Sequence, residues 1–389
     1  MEIYLAGAAR TAIGGLNGAF AGISGVVLGS AAIKATIERS GVDPASVDNV
    51  IIGNILSAGQ GQNPARQAAI AAGLPNAAGA FNVNKVCGSG LLSVILAAQS
   101  IAAGDASMVI AGGMESMTQA PYLLKQARGG YRLGDATMID SMMYDGLRDA
   151  YAGVPMGEFA DKTSAALGLS RSQCDDYAVR SYQRAIDAHR QGRFAAEIVP
   201  LDVPQGKASI LVGEDEGPRK FDEEKLRRLK PAFTPDGIVT AGNCSSISDG
   251  AASLLVFSKN SDGIVPQAKL LASATASGDP EQFTLAPIEA VHKLLAKLSL
   301  RPADIDLFEI NEAFAVAPMA VINALDISPE KVNVNGGAIA LGHPIGASGS
   351  RILVTLIHAL AALKARLGIA VVCIGGGEAI AVAIENLMI

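Results

Sequence analysis

Four side chains that could take part in chemistry stand at the ends of apolar segments. Cys87 lies in "VCGSG", before a small-residue run that predicts the first turns of a helix, where the helix dipole favours a thiolate. Asn311 begins "NEAFA", His343 lies in "GHPIGASG" and Cys373 begins "CIGGG". Because ligands collect at strand ends in α/β sheets, we expect these side chains to lie together. They would supply a nucleophile, an amide donor, a proton acceptor and a second thiol.

Each of these residues also has an ordinary structural interpretation. Most free cysteines pack as small hydrophobic side chains, and a triple glycine can be only a turn. Two cysteines and a histidine also suggest a metal site, but no pair of these ligands lies close in the sequence. The combination therefore favours acid–base catalysis, and the glycines allow backbone N–H groups to approach a substrate oxygen.

Cysteine spacing and net charge argue against several other classes of protein. The four cysteines are widely spaced and contain no C-x-x-C pair: Cys87, Cys174, Cys244 and Cys373. We therefore expect a reduced, cytoplasmic protein without a structural metal. The formal net charge of −6 argues against a nucleic-acid partner. No apolar segment reaches the roughly 18 uninterrupted residues of a membrane span, and "MEIYLAGAARTA" predicts a first strand, so we expect no membrane partner.

Composition predicts a large α/β protein. The chain has 389 residues, half of them hydrophobic, and 43 glycines; at this length a single core usually divides into domains. Apolar runs without alternation, such as "ASMVIAGG" and "GIAVVCIGGG", are typical of strands buried on both faces. Small residues in this proportion suit close packing of helices on a sheet. We therefore assign the chain to the α/β class.

An internal repeat predicts two similar halves. Residues 28–56 and 286–314 both contain an amphipathic helix, a turn with proline, an acidic position and an apolar strand that ends in Asn. In each copy a further strand follows, at 81–84 and at 332–335. Each copy then closes with a strand and a glycine turn, at 109–116 and at 372–380. Matching elements in one order predict two homologous halves that bury a helix layer between two sheets.

The segment between the copies, residues 118–245, is predicted to be an insertion. It contains "LSRSQCDDYAVRSYQRAIDAHRQGRF", a helix pattern with a serine near its start. Residues 219–230 carry six Lys or Arg against three Asp or Glu, which indicates a solvated face or an anion-binding patch. The predicted division is an N-terminal core domain of residues 1–117 and 246–265, a loop domain of residues 118–245 and a C-terminal core domain of residues 266–389.

Several motifs along the whole chain together resemble those of the thiolase family. They are "GGMESMTQAP", "RGGYRLGD", "NEAFA", "ALGHPIGASG" and "CIGGGEA". The resemblance implies a five-layered αβαβα fold made of two homologous halves, with the insertion as the loop domain that receives coenzyme A. It also implies acetyl-CoA C-acetyltransferase activity: the reversible conversion of two acetyl-CoA to acetoacetyl-CoA and CoA.

The resemblance assigns roles to five residues. Cys87 would accept the acyl group, with His343 as its proton acceptor, and Cys373 would be the acid and base of the enolate step. One oxyanion would be held by His343 and a water fixed by Asn311. The acyl oxygen would be held by the backbone N–H groups of Cys87 and Gly375.

The resemblance also implies contacts with coenzyme A, which would be a substrate and not a covalently bound cofactor. Ser245 would lie near the pantetheine and Arg219 near the adenine and its phosphate. Ala313 and Phe314 would line the same channel, with Met156 beside the cofactor arm.

The chain departs from the family pattern at several positions. Pro155 stands where a histidine is usual in biosynthetic acetoacetyl-CoA thiolases, which removes a polar contact, and Phe283 stands where short-chain members generally carry Met. Phe283 and Tyr182 together resemble members that accept a 2-methyl branch, in which the tyrosine helps to bind a monovalent cation such as K⁺. Glu378 occupies a position where small or apolar residues are commoner.

Two further points stay open in the sequence. Residues 127–147 resemble the family's tetramerisation loop, which predicts a homotetramer built from dimers. The activity could also be that of a degradative 3-ketoacyl-CoA thiolase of broader or branched substrate range, and a non-catalytic acyl-CoA-binding protein is a further alternative. A ketoacyl synthase, related by fold, is disfavoured because Cys373 stands where that class has a second histidine or an asparagine.

Overall fold

The computed structural model describes residues 1–258 and 263–388. The predicted N-terminal core segment 246–265 and the last residue of the predicted C-terminal domain therefore lie partly outside the described residues. The division into domains stays a prediction.

Strands and helices alternate in the first part of the chain. The elements are β1 (Ile3–Thr11), β2 (Gly14–Gly15), α1 (Gly25–Ser40), β3 (Asn49–Gly53), α2 (Pro64–Ala71), β4 (Gly79–Val83), α3 (Ser89–Ala103) and β5 (Met108–Ser116), with a 3-10 turn at Pro44–Ser46. Helix α1 begins after Ser24, whose hydroxyl accepts the N–H of Val27, and ends at Gly41 in a left-handed conformation. The predicted first strand is confirmed as β1.

The predicted insertion folds mainly as helices and short strands. Its elements are β6 (Tyr122–Leu123), β7 (Ile139–Asp140), a π-helical turn (Met142–Leu147), α4 (Met156–Ala166), α5 (Arg171–Arg190), β8 (Ile198–Val199), β9 (Leu201–Gln205), β10 (Ala208–Val212), α6 (Glu216–Arg219) and α7 (Glu223–Arg227). The predicted serine-capped helix is confirmed as α5. Ser170 and Gln173 form a capping box at its start.

The remaining elements complete the sheet and its outer helices. They are β11 (Ser248–Ser258), β12 (Ala268–Ser277), α8 (Ala286–Leu298), β13 (Leu307–Ile310), α9 (Val316–Leu325), α10 (Ala338–Leu341), α11 (Ile345–Leu363), β14 (Leu367–Ile374) and β15 (Glu378–Asn386), with 3-10 turns at Pro280–Gln282, Pro302–Asp304 and Pro329–Lys331. Both predicted strand-and-turn closures are confirmed, since β5 and β14 lie at those positions.

The strands of both halves form one continuous sheet. Its order is β13-β14-β15-β12-β1-β11-β5-β3-β4. The halves meet where β1 pairs antiparallel with β12, through Ile3 with Leu270, Tyr4 with Lys269 and Leu5 with Ala268. The expected two sheets are therefore two parts of a single hydrogen-bonded sheet. The first wing contains β1, β11, β5, β3 and β4, and the second wing contains β12, β15, β14 and β13.

The five layers are confirmed by three hydrophobic cores. One core joins α1 and α2 to the outer face of the first wing. The second lies between the wings and contains α3 and α11, and the third joins α8 and α9 to the outer face of the second wing. Helices α3 and α11 are thus the layer buried between two sheets.

Glycines let the two central helices touch backbone to backbone. A Cβ atom on Gly90 of α3 would lie 2.5 Å from the Ser350 nitrogen, and one on Gly349 of α11 would lie 2.5 Å from the Leu91 nitrogen. Real Cβ atoms do not approach other atoms so closely. This close contact fixes the beginnings of both helices, where the candidate catalytic residues are found.

The predicted strand at 332–335 is wrong. Only Val332 forms an isolated bridge, with Phe308 of β13. Asn333 turns into the left-handed region at φ 47°, and its side chain accepts the N–H of Ile310 at 2.8 Å and donates to the carbonyl of Ile310 at 2.9 Å. The asparagine side chain thus makes the hydrogen bonds that a continued strand would have made.

Two segments pass a membrane-span criterion of length and mean hydropathy, although polar residues interrupt the apolar run in both. Val86–Ala103 and Ile345–Leu363 are long and apolar enough by length and composition, and are 50% and 83% buried. Both contain central-layer helices, which are hydrophobic all round because they pack against neighbours on every side. Because a buried core helix also meets this criterion of length and composition, meeting it is weak evidence for a membrane span.

Candidate active site

A mainly apolar cavity lies between the insertion and the sheet. Its volume is about 360 Å³. Among the residues that line it are eight predicted from the sequence to act or bind: Cys87, Met156, Ser245, Phe283, Ala313, Phe314, His343 and Gly375. The fold therefore brings together side chains from distant parts of the chain.

Cys87 lies in a sharp turn between β4 and α3. Val86, just before it, has a φ of 46°, which is an unusual and strained conformation for a β-branched residue. Gly88 caps α3, and a Cβ there would lie 2.4 Å from the Ile374 side chain. The turn is therefore held by close packing and points the half-buried sulfur into the cavity.

Cys87 and His343 are in hydrogen-bonding contact. The Cys87 Sγ and the His343 Nε2 are 3.3 Å apart, and the His343 Nδ1 lies 2.5 Å from the Ser348 hydroxyl. The Ser348 hydroxyl donates its proton to the Pro344 carbonyl at 2.9 Å, so it accepts from the imidazole Nδ1–H. The Nε2 atom is then free to accept a proton from the thiol.

Both members of this pair are neutral at rest. Burial raises the pKa of the Cys87 thiol to about 11, and the backbone N–H groups of Gly375 and Cys87 oppose the shift. Burial, together with the positive Arg351, lowers the pKa of His343 to about 3. Burial therefore acts against the thiolate that the helix position was expected to favour, and it outweighs the two N–H donors.

Cys373 lies behind the cavity wall, near the end of β14. It is buried in a cluster with Phe283, Ala313 and Phe314. Burial raises the pKa of the Cys373 thiol far above its ordinary value, and the nearby Cys87 sulfur acts in the same direction. Cys373 therefore keeps its proton in the resting site.

Asn311 follows β13 and is buried. Its backbone N–H continues the pairing with β14 by donating to the Val371 carbonyl at 2.9 Å. Neither polar atom of its side-chain amide has a hydrogen-bond partner among residues 1–258 and 263–388. Both positions of this buried amide are therefore open to a hydrogen-bonding partner.

Two buried glutamates support the site without having been given a role from the sequence. Glu115 accepts the N–H groups of Ile55, Leu56 and Gly346, and burial raises its pKa to about 7. Glu312 accepts from the Tyr177 and Ser181 hydroxyls, among other donors. Their positions inside the motifs "GGMES" and "NEAFA" are the sequence feature that could have indicated this supporting role. Glu115 thereby holds the start of α11 against neighbouring elements, and Glu312 does the same for the turn after Asn311.

The predicted coenzyme A contacts are only partly brought together. The backbone N–H and the hydroxyl of Ser245 both donate to the Ala313 carbonyl, at 3.0 and 3.1 Å, and Cys244 bridges to Phe314. Arg219 is exposed at the end of α6 and, within the described residues, is not part of the cavity wall. Its contact with a phosphate stays a prediction.

Aromatic side chains shape the cavity and its surroundings. Phe283 is buried and meets Phe314 edge to face, with ring centroids 6.1 Å apart. Tyr182 stacks on Phe221 at 4.6 Å, away from the cavity wall, and burial raises its pKa to about 12. Across the described residues, no cluster of three His, Cys, Asp or Glu side chains could hold a metal ion.

Two known protein domains match most of the chain. The thiolase N-terminal domain matches residues 3–260, and the thiolase C-terminal domain matches residues 264–386. The chain belongs to the thiolase family. It is an acyltransferase of the acetyl-CoA acetyltransferase type, and its fold is the thiolase fold.

Relatives of this thiolase match it from end to end. A protein of Staphylococcus aureus strain COL called "Probable acetyl-CoA acyltransferase" is 49% identical over 390 residues, 99% of each chain. The crystal structure of Acat5 thiolase from Ascaris suum in complex with coenzyme A has a TM-score of 0.94 and 41% identity, covering 100% of both chains. The Bacillus anthracis acetyl-CoA acetyltransferase has a TM-score of 0.97 and 38% identity, covering 99% of both.

Proposed function

We propose that the enzyme interconverts two acetyl-CoA with acetoacetyl-CoA and CoA, by a ping-pong mechanism through an acetyl-Cys87 intermediate. The observation that carries the proposal is the 3.3 Å contact between Cys87 Sγ and His343 Nε2 inside an apolar cavity. Coenzyme A bound to an Ascaris suum relative supports the choice of substrate.

In the thiolysis direction the neutral pair generates its own nucleophile. His343 takes the Cys87 thiol proton, and the thiolate attacks the 3-keto carbonyl of acetoacetyl-CoA. The N–H groups of Cys87 and Gly375, already directed at the sulfur, would hold the oxyanion. The bond between C2 and C3 then breaks, its electron pair forms the enolate of acetyl-CoA, and the acetyl group stays on Cys87.

Cys373 completes both halves of the reaction. Its protonated thiol gives a proton to C2 of the enolate, whose oxygen would be held by protonated His343 and by a water on the open Asn311 amide. Acetyl-CoA leaves and CoA enters. The Cys373 thiolate takes the CoA thiol proton, the CoA sulfur attacks acetyl-Cys87, and Cys87 recovers its proton from His343. Condensation is the same sequence reversed.

Steady-state kinetics test this proposal. Thiolysis of acetoacetyl-CoA should show the parallel double-reciprocal lines of a ping-pong reaction, and a longer 3-ketoacyl-CoA should have a lower kcat/KM. Cys87→Ala should be inactive, whereas Cys174→Ala, at a buried cysteine packed away from the cavity, should keep activity. Binding of acetyl-CoA without turnover would instead indicate a non-catalytic binder, and preference for the longer substrate a degradative thiolase.

A second substrate range is favoured by Phe283. A rigid ring held against Phe314 can leave a fixed space beside the α-carbon of the substrate, which a flexible Met tends to fill. A pocket that discriminates by one methyl group typically changes kcat/KM by roughly 10–200-fold. Because we expect this pocket to leave space for the methyl group, the kcat/KM for thiolysis of 2-methylacetoacetyl-CoA should lie within about tenfold of that for acetoacetyl-CoA. Phe283→Met should lower that ratio. No turnover of the methylated substrate, with or without K⁺, would limit the enzyme to the unbranched substrate.

A further inference from the structure

A lysine and a glutamate join the two segments that surround the Cys87 sulfur. Lys85 Nζ and Glu378 Oε2 form a hydrogen-bonded ion pair, although the residues are 293 positions apart in the sequence. Lys85 lies two residues before Cys87, and Glu378 lies three residues after Gly375. The pair therefore connects one catalytic segment of each half.

Each of these segments supplies one hydrogen-bond donor to the sulfur. The N–H of Cys87 belongs to the turn after β4, and the N–H of Gly375 belongs to the turn between β14 and β15. Both turns contain left-handed backbone, at Val86 with φ 46° and at Gly376 with φ 91°. Such conformations persist when surrounding contacts fix them.

Both ends of the ion pair are attached to regular structure. The backbone N–H of Lys85 donates to the hydroxyl of Ser89, the first residue of α3, at 2.8 Å. Glu378 begins β15 and pairs with Ser277 of β12. The side chains of Lys85 and Glu378 are only 27% and 32% exposed, so solvent and salt screen the pair less than a surface ion pair. It can therefore transmit the position of one element to the other.

We propose that Lys85 and Glu378 are a positioning pair that sets the spacing between the N–H donors of Cys87 and Gly375. This inference rests on the proposed function, in which both donors bind the acyl oxygen. Oxyanion donors act through short, well-aligned hydrogen bonds, so a small shift of one turn weakens transition-state binding. The residues expected to bind coenzyme A, such as Ser245, lie on other segments and are unaffected.

Single and exchanged charges test the pair. Glu378→Gln and Lys85→Gln should each lower kcat for acetoacetyl-CoA thiolysis about tenfold, a fraction of the loss of a whole oxyanion donor. The KM for CoA should stay within about twofold, because uniform binding is unchanged. The exchanged enzyme, Lys85→Glu with Glu378→Lys, should recover most of the activity. Glu385→Gln, which breaks the ion pair with Arg366 at the far end of β15, is the matched control and should behave as wild type.

Each outcome decides one point. Melting temperatures identify a variant that is merely unfolded, and the exchanged enzyme then carries the test. An unchanged kcat in a folded Glu378→Gln enzyme overturns the positioning role. So does a slow Lys85→Gln enzyme whose activity the exchange fails to restore, because Lys85 would then act through its own charge. An inactive wild type would overturn the proposed function, whereas an active wild type with unaffected variants overturns the positioning role alone.

Discussion

Cys87 and His343 rest as a neutral thiol and a neutral imidazole, and this has a measurable pH dependence. Alkylation needs the thiolate, and the Cys87 pKa of about 11 makes the thiolate fraction rise about tenfold per pH unit below that value. The pKa of His343 is about 3, so the imidazole does not titrate between pH 6 and pH 9. We expect the iodoacetamide rate of the free enzyme to rise steadily across this range, without a plateau.

Mass spectrometry of the Cys87 peptide measures this rate directly. The Cys87→Ala enzyme gives the background from the other three cysteines. An alkylation rate that is already high and nearly constant between pH 6 and pH 8 would show that Cys87 and His343 form a thiolate–imidazolium pair at rest, and would contradict the neutral pair.

The roles of Cys87 and Cys373 are expected to be separable by mutation. Cys373→Ala should still take an acetyl group from acetyl-CoA onto Cys87, since bond formation needs the nucleophile and His343, and the departing CoA thiolate can take its proton from water in place of Cys373. Condensation should fall by about 10²–10⁴-fold, the usual contribution of a general acid or base. The mass of the acetylated protein and the rate of acetoacetyl-CoA formation measure the two steps. Stoichiometric acetylation of a Cys87→Ala enzyme in this cavity would reverse the assignment.

Between elements, the contact of α3 with α11 leaves no room for a methyl group. Alanine normally stabilises a helix by about 0.8–1 kcal/mol over glycine. At Gly349 the new Cβ would lie 2.5 Å from the Leu91 nitrogen, and overpacking of this kind costs about 1–3 kcal/mol. Gly349→Ala should therefore lower the free energy of unfolding, measured in urea, and shift the Cys87 turn at the start of α3.

Gly278→Ala is the control for this prediction. A Cβ at Gly278 has no neighbour within 4 Å among the described residues, so the unfolding free energy should change little. A Gly349→Ala enzyme of wild-type stability would mean that the two helices can separate without cost.

The elements were largely predictable, since apolar runs, caps and turns are local properties. The strand at 332–335 failed because Asn333 uses its side chain in place of the backbone. In the site, the motifs located Cys87, His343 and Cys373. The charge state of the thiols was not predictable, because it depends on burial by residues from both halves. The partner of Glu378 was equally hidden, since Lys85 comes from the other half of the chain.

The whole molecule is expected to be a homotetramer. Residues 127–147 carry large apolar side chains at the surface, with Leu133 fully exposed and Met138 60% exposed, and an apolar patch of this kind on a single chain marks an interaction surface. Light scattering at micromolar concentration should give about four times the 39.7 kDa of one chain. Leu133→Asp with Met138→Asp should shift the mass towards the dimer. A mass near 40 kDa for the wild type would refute the tetramer.

The central place of β1 in the sheet has a consequence for synthesis. Its ladder neighbours are β11 and β12, and β11 begins only at Ser248. At roughly 5–20 residues per second, a ribosome needs about 12–50 s to reach that point after completing β1. During that time the first strand, apart from the two residues that pair with β8, has both edges open to other chains. We therefore expect the nascent protein to need shielding of its N-terminus until β11 and β12 emerge.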